Sequence, residues 1–220
     1  MKFTKFSHSC VLVESAETTI LFDPGEFSWS EGLIQKKIAE LTRLDTVYVT
    51  HVHPDHCFSL ALRAIREKFP DVIIVTTKEA QLQLAEDSIE TVVTLSNNLV
   101  TLKQTDHAHL NKTIPIFENM QVILKNIITH PGDSMNIEQL KTPVIALPFF
   151  GPWENGTFTD AMNLAIKLRP EYIIPIHDYH YKPEFRDDFY ERAQKIADAW
   201  GGKVICKKDA KPATVMTNLD

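Results

Sequence analysis

The chain has 220 residues, of which 44% are hydrophobic and 24% are charged, and its formal net charge is −6. This length can bury a substantial core, and the lack of a Pro-, Gly- or Ser-rich linker favours one domain over residues 1–220. The acidic balance argues against a general binder of nucleic acid or of anionic membranes, and no stretch is apolar for long enough to span a bilayer.

Cysteine usage indicates a reducing compartment. Cys10, Cys57 and Cys206 are odd in number and widely spaced, which is not the pattern of a disulfide framework. The first residues alternate polar and apolar side chains like a strand, and they lack the apolar core of a signal peptide. We therefore expect a cytoplasmic protein with reduced thiols.

The first half of the chain predicts three short strands, followed by strands that alternate with amphipathic helices. Such alternation is typical of layered α/β packing. The strands are expected at residues 2–6, 10–15, 18–23, 45–49 and 72–75, and the helices around residues 34–41, 58–69 and 77–86.

The second half repeats this order of strands followed by alternation. Its strands are expected at residues 91–94, 99–105, 122–129, 143–147, 172–176 and 203–206, and its helices around residues 161–168 and 185–197. Two β-rich halves that each carry helices predict an α/β (α+β) fold, in which four layers form an αββα sandwich.

A histidine-rich run directly follows the predicted strand at 45–49. His51 and His53 are two residues apart, so strand geometry points both side chains the same way, where they can hold one metal ion. The alternative is a polar loop that happens to be rich in histidine. Four potential ligands within the six residues from His51 to His56 argue against that alternative.

The rest of the run can reach a second ion. Pro54 cannot continue a hydrogen-bonded ladder, so the chain turns there and brings Asp55 and His56 round beside the first pair. Imidazole and carboxylate ligands suit zinc, manganese and iron.

Further candidate ligands share a placement just after predicted strands. His107, Asp133 and His177 each follow such a strand. Loops at strand ends, carried on a rigid scaffold, are where functional groups concentrate. By chemistry alone, His109 could bind a metal ion as well as His107.

These residues make the sequence resemble the metallo-β-lactamase-fold hydrolase superfamily over nearly the whole chain. The His-x-His-x-Asp-His motif is specific for that superfamily. Within it, the sequence is most similar to the branch that contains ascorbate-6-phosphate lactonase. The supporting segments are Phe6–Ser9, Leu21–Pro24, Val100–His107, Thr129–Ser134 and Ile174–His177.

The resemblance implies an αββα sandwich of the metallo-β-lactamase type with a binuclear centre of two divalent metal ions. Zinc is the first expectation, with manganese and iron as alternatives. The implied ligands are His51, His53 and His107 for the first ion, Asp55, His56 and His177 for the second, and Asp133 as the bridge. The branch pattern, in which a strand of this length ends in the ligand, favours His107 over His109.

The implied activity is hydrolysis by a metal-bridging hydroxide, which Asp55 would orient before it passes a proton to the leaving group. The expected substrate is an ester, lactone or phosphodiester of a small anionic metabolite, because the ions supply positive charge. The alternatives are a glyoxalase-type thiolester hydrolase and a non-catalytic metal-binding module. We expect neither a nucleic-acid nor a membrane partner, and relatives in the branch make a homo-oligomer a further expectation.

Several other residues could lie beside such a site. They are His8, Asp23, His130, His180, Phe150 and Trp153. Each has a plainer alternative. Asp23 could belong only to a turn, His8 could be a capping or core histidine, His130 could simply be buried, and His180 could lie in a solvated loop. The two aromatic residues could line the pocket or only pack their loop.

Overall fold

The fold is described from a computed structural model. It describes residues 1–95, 99–108, 117–137, 141–151, 153, 156–206 and 211–219. His109 lies outside these ranges, so its predicted alternative role stays a prediction.

The first sheet has six strands and is flanked by four helices. Its strands are β1 (Lys2–Lys5), β2 (Val11–Glu14), β3 (Thr19–Phe22), β4 (Thr46–Val49), β5 (Ile73–Thr76) and β12 (Ala213–Met216). Across the sheet the order is β12-β1-β2-β3-β4-β5. The pairs from β12 to β3 are antiparallel, while β3, β4 and β5 are parallel. The helices are α1 (Glu26–Ser30), α2 (Leu33–Glu40), α3 (Ser59–Lys68) and α4 (Lys78–Glu86).

The second sheet also has six strands, with antiparallel pairs on one side and parallel pairs on the other. Its strands are β6 (Val100–Asp106), β7 (Glu118–Leu124), β8 (Ile128–His130), β9 (Val144–Pro148), β10 (Tyr172–Ile176) and β11 (Lys203–Val204), in the order β11-β10-β9-β8-β7-β6. β6, β7 and β8 are antiparallel, and β8 to β11 are parallel. The helices are α5 (Phe158–Leu168) and α6 (Pro183–Ala197), and a short 3₁₀ turn follows at Asp198–Trp200.

Alternating side chains on the strands build three apolar layers. In β4, Tyr48 packs into a core that both sheets share, while Val47 and Val49 pack into a second core with the helices of the first sheet. In β10, Ile174 belongs to the shared core and Ile173 packs with α5 and α6. The layers are therefore helix, sheet, sheet and helix, which confirms the predicted αββα sandwich.

Two predicted strands are wrong in detail. The strand expected at 122–129 is a hairpin of β7 and β8, which turns at Lys125 and Asn126 with φ values of 51° and 55°. The strand expected at 91–94 is reduced to one bridge between Val92 and Val75. None of the described helices is long and apolar enough to cross a membrane.

Candidate metal centre

The candidate ligands meet at one edge of the sandwich because the strands that carry them end there. β3 and β4 are parallel neighbours in the first sheet, and β8, β9 and β10 run in parallel in the second. The carboxyl ends of parallel strands lie at a common edge. Asp23 directly follows β3, and His177 directly follows β10.

A first group of donors consists of His51, His53, His107 and Asp133, each with one donor atom within 4.8 Å of the others. His51 Nε2 lies 3.1 Å from His53 Nδ1. His107 Nε2 lies 3.2 Å from Asp133 Oδ2. The structure thus brings together the three histidines and the aspartate predicted around the first ion.

A second group consists of His8, Asp55, His56 and His177, with donor atoms within the same 4.8 Å limit. His8 Nε2 donates to Asp55 Oδ2 at 2.8 Å, and His177 Nε2 lies 3.5 Å from the same oxygen. Three members are those predicted around the second ion. His8 joins them, so of its two predicted interpretations the structure favours a place at the site.

Asp133 lies between the two groups. Its Oδ1 is 3.1 Å from Nε2 of His56, and its Oδ2 is 2.8 Å from Nε2 of His177 and 3.2 Å from Nε2 of His107. One carboxylate therefore contacts members of both groups, as a bridging ligand would.

Backbone and side-chain partners fix which imidazole nitrogen faces the site. His107 donates from Nδ1 to the carbonyl of Ala108 at 2.7 Å. His56 donates from Nδ1 to Asp23 Oδ2 at 2.7 Å. In each ring this leaves Nε2 facing Asp133.

The donor set fits divalent cations. Nε2 of His107 and His177 and Oδ1 of Asp133 are buried, and they form no hydrogen bond within the described part of the chain. Such atoms are costly to bury without a partner, and a cation between them would supply one. Imidazole with carboxylate, and no thiolate, is a donor set that zinc, manganese and iron accept.

Burial and neighbouring charges act differently on the donor groups. Burial lowers the pKa of His56 and of His107, but the Asp133 carboxylate outweighs it, so both pKa values lie above the ordinary value. Burial holds the pKa of His51 well below its ordinary value. Burial raises the pKa of Asp133, but His177 and then His56 outweigh it, so that pKa lies well below its ordinary range. Burial also raises the pKa of Asp55, and His56 again reverses the effect. His51 is therefore neutral and both carboxylates are ionised.

Asp23 is both a turn residue and a hydrogen-bond partner of the donor His56. It lies in a turn with a φ of 43°, and it accepts hydrogen bonds from His56 and from the backbone and hydroxyl groups of Thr50 at 2.7 to 2.8 Å. It therefore orients the His56 ring and fixes the start of the histidine-rich run.

His130 belongs to neither donor group. Its Nε2 donates to the carbonyl of Ser9 at 3.0 Å, and its Nδ1 accepts from the amide of Gly132 at 3.3 Å. Its ring stacks on Phe22 at a centroid distance of 5.2 Å. Both nitrogens are used within the protein, so the plainer interpretation, a buried histidine, fits this residue.

A cavity of about 540 Å³ opens onto both groups. His53, Asp55, His107, Asp133 and His177 form its floor, and Phe150, Gly151, Trp153, His180 and Tyr181 line its walls. His180, Phe150 and Trp153 therefore border the site, as one of their two interpretations predicts. A larger cavity of about 840 Å³ lies along α4 and shares no residue with either group.

A buried ionic contact that the sequence did not predict lies behind the site. Lys5 is 0% exposed, and its Nζ lies 3.1 to 3.2 Å from the carboxylate oxygens of Asp178. Nζ also donates to the carbonyl of His8 at 2.9 Å, and the Tyr190 hydroxyl donates to Asp178. The one feature of the sequence that could have placed Asp178 near the site is that it directly follows His177.

Asn119, a buried residue of β7, was not predicted from the sequence either. Its Nδ2 donates to the carbonyl of Pro131 at 2.8 Å, and its Oδ1 accepts from the amide of Asp133 at 3.1 Å. Gly132 between them has a φ of 60°, and a Cβ there would lie 2.1 Å from Asn119 Oδ1. Asn119 and Gly132 together position the shared aspartate.

A two-sheet αββα sandwich with paired His/Asp groups at its strand ends is the architecture of the metallo-β-lactamase fold. Residues 2–177 match the family described as the Beta-lactamase superfamily domain, and the chain belongs to that family.

Similar proteins cover nearly the full chain. Protein Rv0786c of Mycobacterium tuberculosis is 29% identical over 206 residues, which are 89% of this chain and 92% of that protein. A UPF0173 metal-dependent hydrolase of Ignicoccus hospitalis is 27% identical over 233 residues and covers 97% of each chain. The solved structure of Igni18, a metallo hydrolase from the same archaeon, has a TM-score of 0.70 at 19% identity and covers 99% of each chain. The chain is thus similar over its length to metal-dependent hydrolases.

Proposed function

We propose that this protein is a metal-dependent hydrolase with two divalent cations, which cleaves an ester, lactone or phosphodiester bond. Family membership and the similarity to proteins described as metal-dependent hydrolases support the reaction class. One observation carries the proposal, namely that Asp133 contacts both donor groups at the floor of an open cavity.

In this proposal the ligands are those of the sequence analysis. They are His51, His53 and His107 for one ion, Asp55, His56 and His177 for the other, and Asp133 between them. Two cations held there would lower the pKa of a water molecule toward neutrality and polarise the carbonyl or phosphoryl oxygen of the substrate. Zinc is the proposed metal, with manganese and iron as alternatives.

Asp55 is the proposed catalytic carboxylate. It borders the cavity, and its Oδ2 already accepts a hydrogen bond from His8. Its pKa lies well below the ordinary value because the charge of His56 and the hydrogen bond from His8 outweigh burial. A carboxylate that stays ionised suits orientation of the attacking water and brief relay of its proton to the leaving group, rather than storage of that proton.

The test combines metal content with turnover. Protein stripped by a chelator is reloaded with zinc, manganese or iron(II), the bound equivalents are counted, and hydrolysis of bis-p-nitrophenyl phosphate, an aryl ester, a lactone and a thiolester is measured. We expect two equivalents and turnover of an ester, lactone or phosphodiester. Turnover of the thiolester alone would favour the glyoxalase-type alternative.

Asp133→Asn is the decisive variant, because it keeps the shape of the side chain and removes its charge. Its metal affinity should fall by at least ~100-fold, since even the outer partners of metal ligands account for ~10–100-fold. Asp188→Asn is the matched control, because that carboxylate on α6 is 51% exposed. If wild-type protein binds two equivalents and turns over none of the four substrates, the protein is a metal-binding module and the proposal fails.

A further inference from the structure

Two loops form the wall of the cavity above the donor groups. β9 and β10 are parallel neighbours, with Pro148 paired to Ile176, so the loops that follow them leave the same edge side by side. The first loop supplies Phe150 and Trp153 to the cavity, and the second supplies Tyr181. The wall is therefore aromatic, and it stands directly beside His177.

The wall is held in place before any ligand arrives. Phe150 is 7% exposed, and its ring centroid lies 3.9 Å from that of Tyr181 and 4.6 Å from that of Phe189 on α6. Trp153 meets His177 at 4.8 Å and His107 at 5.7 Å, edge to face in both cases. An apolar surface packed on both loops and on a helix loses little conformational freedom when a ligand contacts it.

Gly151 allows the indole to take this position. A Cβ added to Gly151 would lie 2.1 Å from ring atoms of Trp153. Any larger residue there must displace the indole from the backbone. The substitution Gly151→Ala therefore displaces the Trp153 ring without removing any aromatic side chain.

The charges around the cavity restrict what the wall can bind. Among the described residues that line it, the ionisable side chains are the donor histidines and aspartates, His180 and the Tyr181 phenol, with no lysine or arginine. An anionic group must therefore sit at the metal ions. The remainder of the substrate faces aromatic carbon, which favours apolar groups.

We propose that Phe150, Trp153 and Tyr181 form a subsite for an aromatic or branched aliphatic substituent next to the scissile bond. The inference rests on the proposed function, and it narrows the substrate from a small anionic metabolite to one with an apolar arm.

The test measures binding rather than turnover. Phenylphosphonate and methylphosphonate carry the same anionic head group and differ in the apolar arm. On zinc-loaded protein, isothermal titration calorimetry should show phenylphosphonate binding about 10- to 50-fold more tightly, from the extra apolar surface buried. If the protein binds both equally, or neither, the subsite is overturned.

Two variants locate the effect. Phe150→Ala removes one ring and Gly151→Ala displaces another, and in both the ratio of the two dissociation constants should fall to within about 3-fold. In Phe150→Ala the affinity for methylphosphonate and the zinc content should stay as in wild type, because that ring packs on Tyr181 and Phe189 and not on a donor histidine. Phe185→Ala is the control, since that ring is 61% exposed on α6 and does not line the cavity. A wild-type ratio in both loop variants would contradict the assignment.

This outcome is separable from the hydrolase proposal. Selective phenylphosphonate binding without turnover of any ester, lactone or phosphodiester would leave the subsite standing and remove the proposed reaction. Turnover with equal binding of both phosphonates would do the reverse.

Discussion

Replacing Lys5 with methionine should destabilise the protein far more than the loss of an ordinary charged side chain. Lys5 is 0% exposed on β1, and its ammonium contacts the Asp178 carboxylate and the carbonyls of Phe6 and His8. Methionine keeps most of the length of the side chain and removes the charge. It leaves the Asp178 carboxylate, which is 3% exposed, without its cation.

The magnitude follows from that burial. Removing one partner of a buried ion pair costs about 3–5 kcal/mol, because the other charge stays in a poorly solvated place. For a chain of this size each 1 kcal/mol lowers Tm by about 2–4 °C, so Lys5→Met should lower it by about 6–20 °C. Lys2→Met is the matched control on the same strand. Lys2 pairs with Glu14 at 2.8 Å but is 32% exposed, so its loss should cost under ~1 kcal/mol.

Denaturation in urea, followed by circular dichroism with chelator present, measures these free energies without a contribution from bound metal. The double variant Lys5→Met with Asp178→Leu removes both charges and should recover most of the loss. The reasoning is refuted if Lys5→Met costs no more than Lys2→Met, or if the double variant loses the sum of the two single losses.

Two further predictions concern single residues. His107→Ala should weaken binding of the first metal ion by at least ~10-fold, while His109→Ala should change it by less than ~3-fold; equal losses in a metal titration would show that the third histidine is misassigned. Burial raises the pKa of both Cys10 and Cys57 to about 12, so neither thiolate forms near pH 8 and both should resist alkylation in the folded protein. Mass spectrometry that finds Cys10 or Cys57 alkylated as fast in native protein as in urea would contradict this.

The layered fold was predictable because its signals are local. In β4, alternation sends Tyr48 to one core and its two valine neighbours to the other, and in α3 the buried residues Ala61, Leu62 and Ile65 share one face. The β7–β8 turn was not predictable in this way. Its residues, Lys125 and Asn126, interrupt an otherwise apolar run without a Gly or Pro signal.

The sequence did not predict β12 and α1, because contacts with distant parts of the chain stabilise them. β12 exists by pairing at the sheet edge with β1, about 210 residues earlier in the chain, where Thr4 is opposite Thr214. α1 has only five residues, too few to show a helical period. In both cases tertiary contacts decide the structure, and a pattern within a short window cannot show them.

The residues of the candidate site also differ in whether a local sequence pattern could predict them. The donors themselves were predictable because a motif and the ends of strands carry them. The Lys5–Asp178 contact was not, since it joins residues 173 positions apart. Lys5 comes two residues after Phe3 and therefore lies on the same face of β1, where Phe3 packs into the core that both sheets share. An apolar residue is expected on that face, and instead the segment that carries Asp178 places a carboxylate against the buried ammonium.

Two of the donors, His8 and His177, and their neighbour Asp23 occupy strained backbone. His8, Asp23 and His177 have φ values of 56°, 43° and 60°, a left-handed region that costs a side-chain-bearing residue about 1–2 kcal/mol. Buried polar contacts lie beside each of them. Lys5 binds the carbonyl of His8 and the carboxylate that follows His177, and Asp23 is tied to Thr50. The scaffold therefore holds these three residues in strained positions through contacts within the protein, so the fold itself sets the geometry of this part of the candidate site.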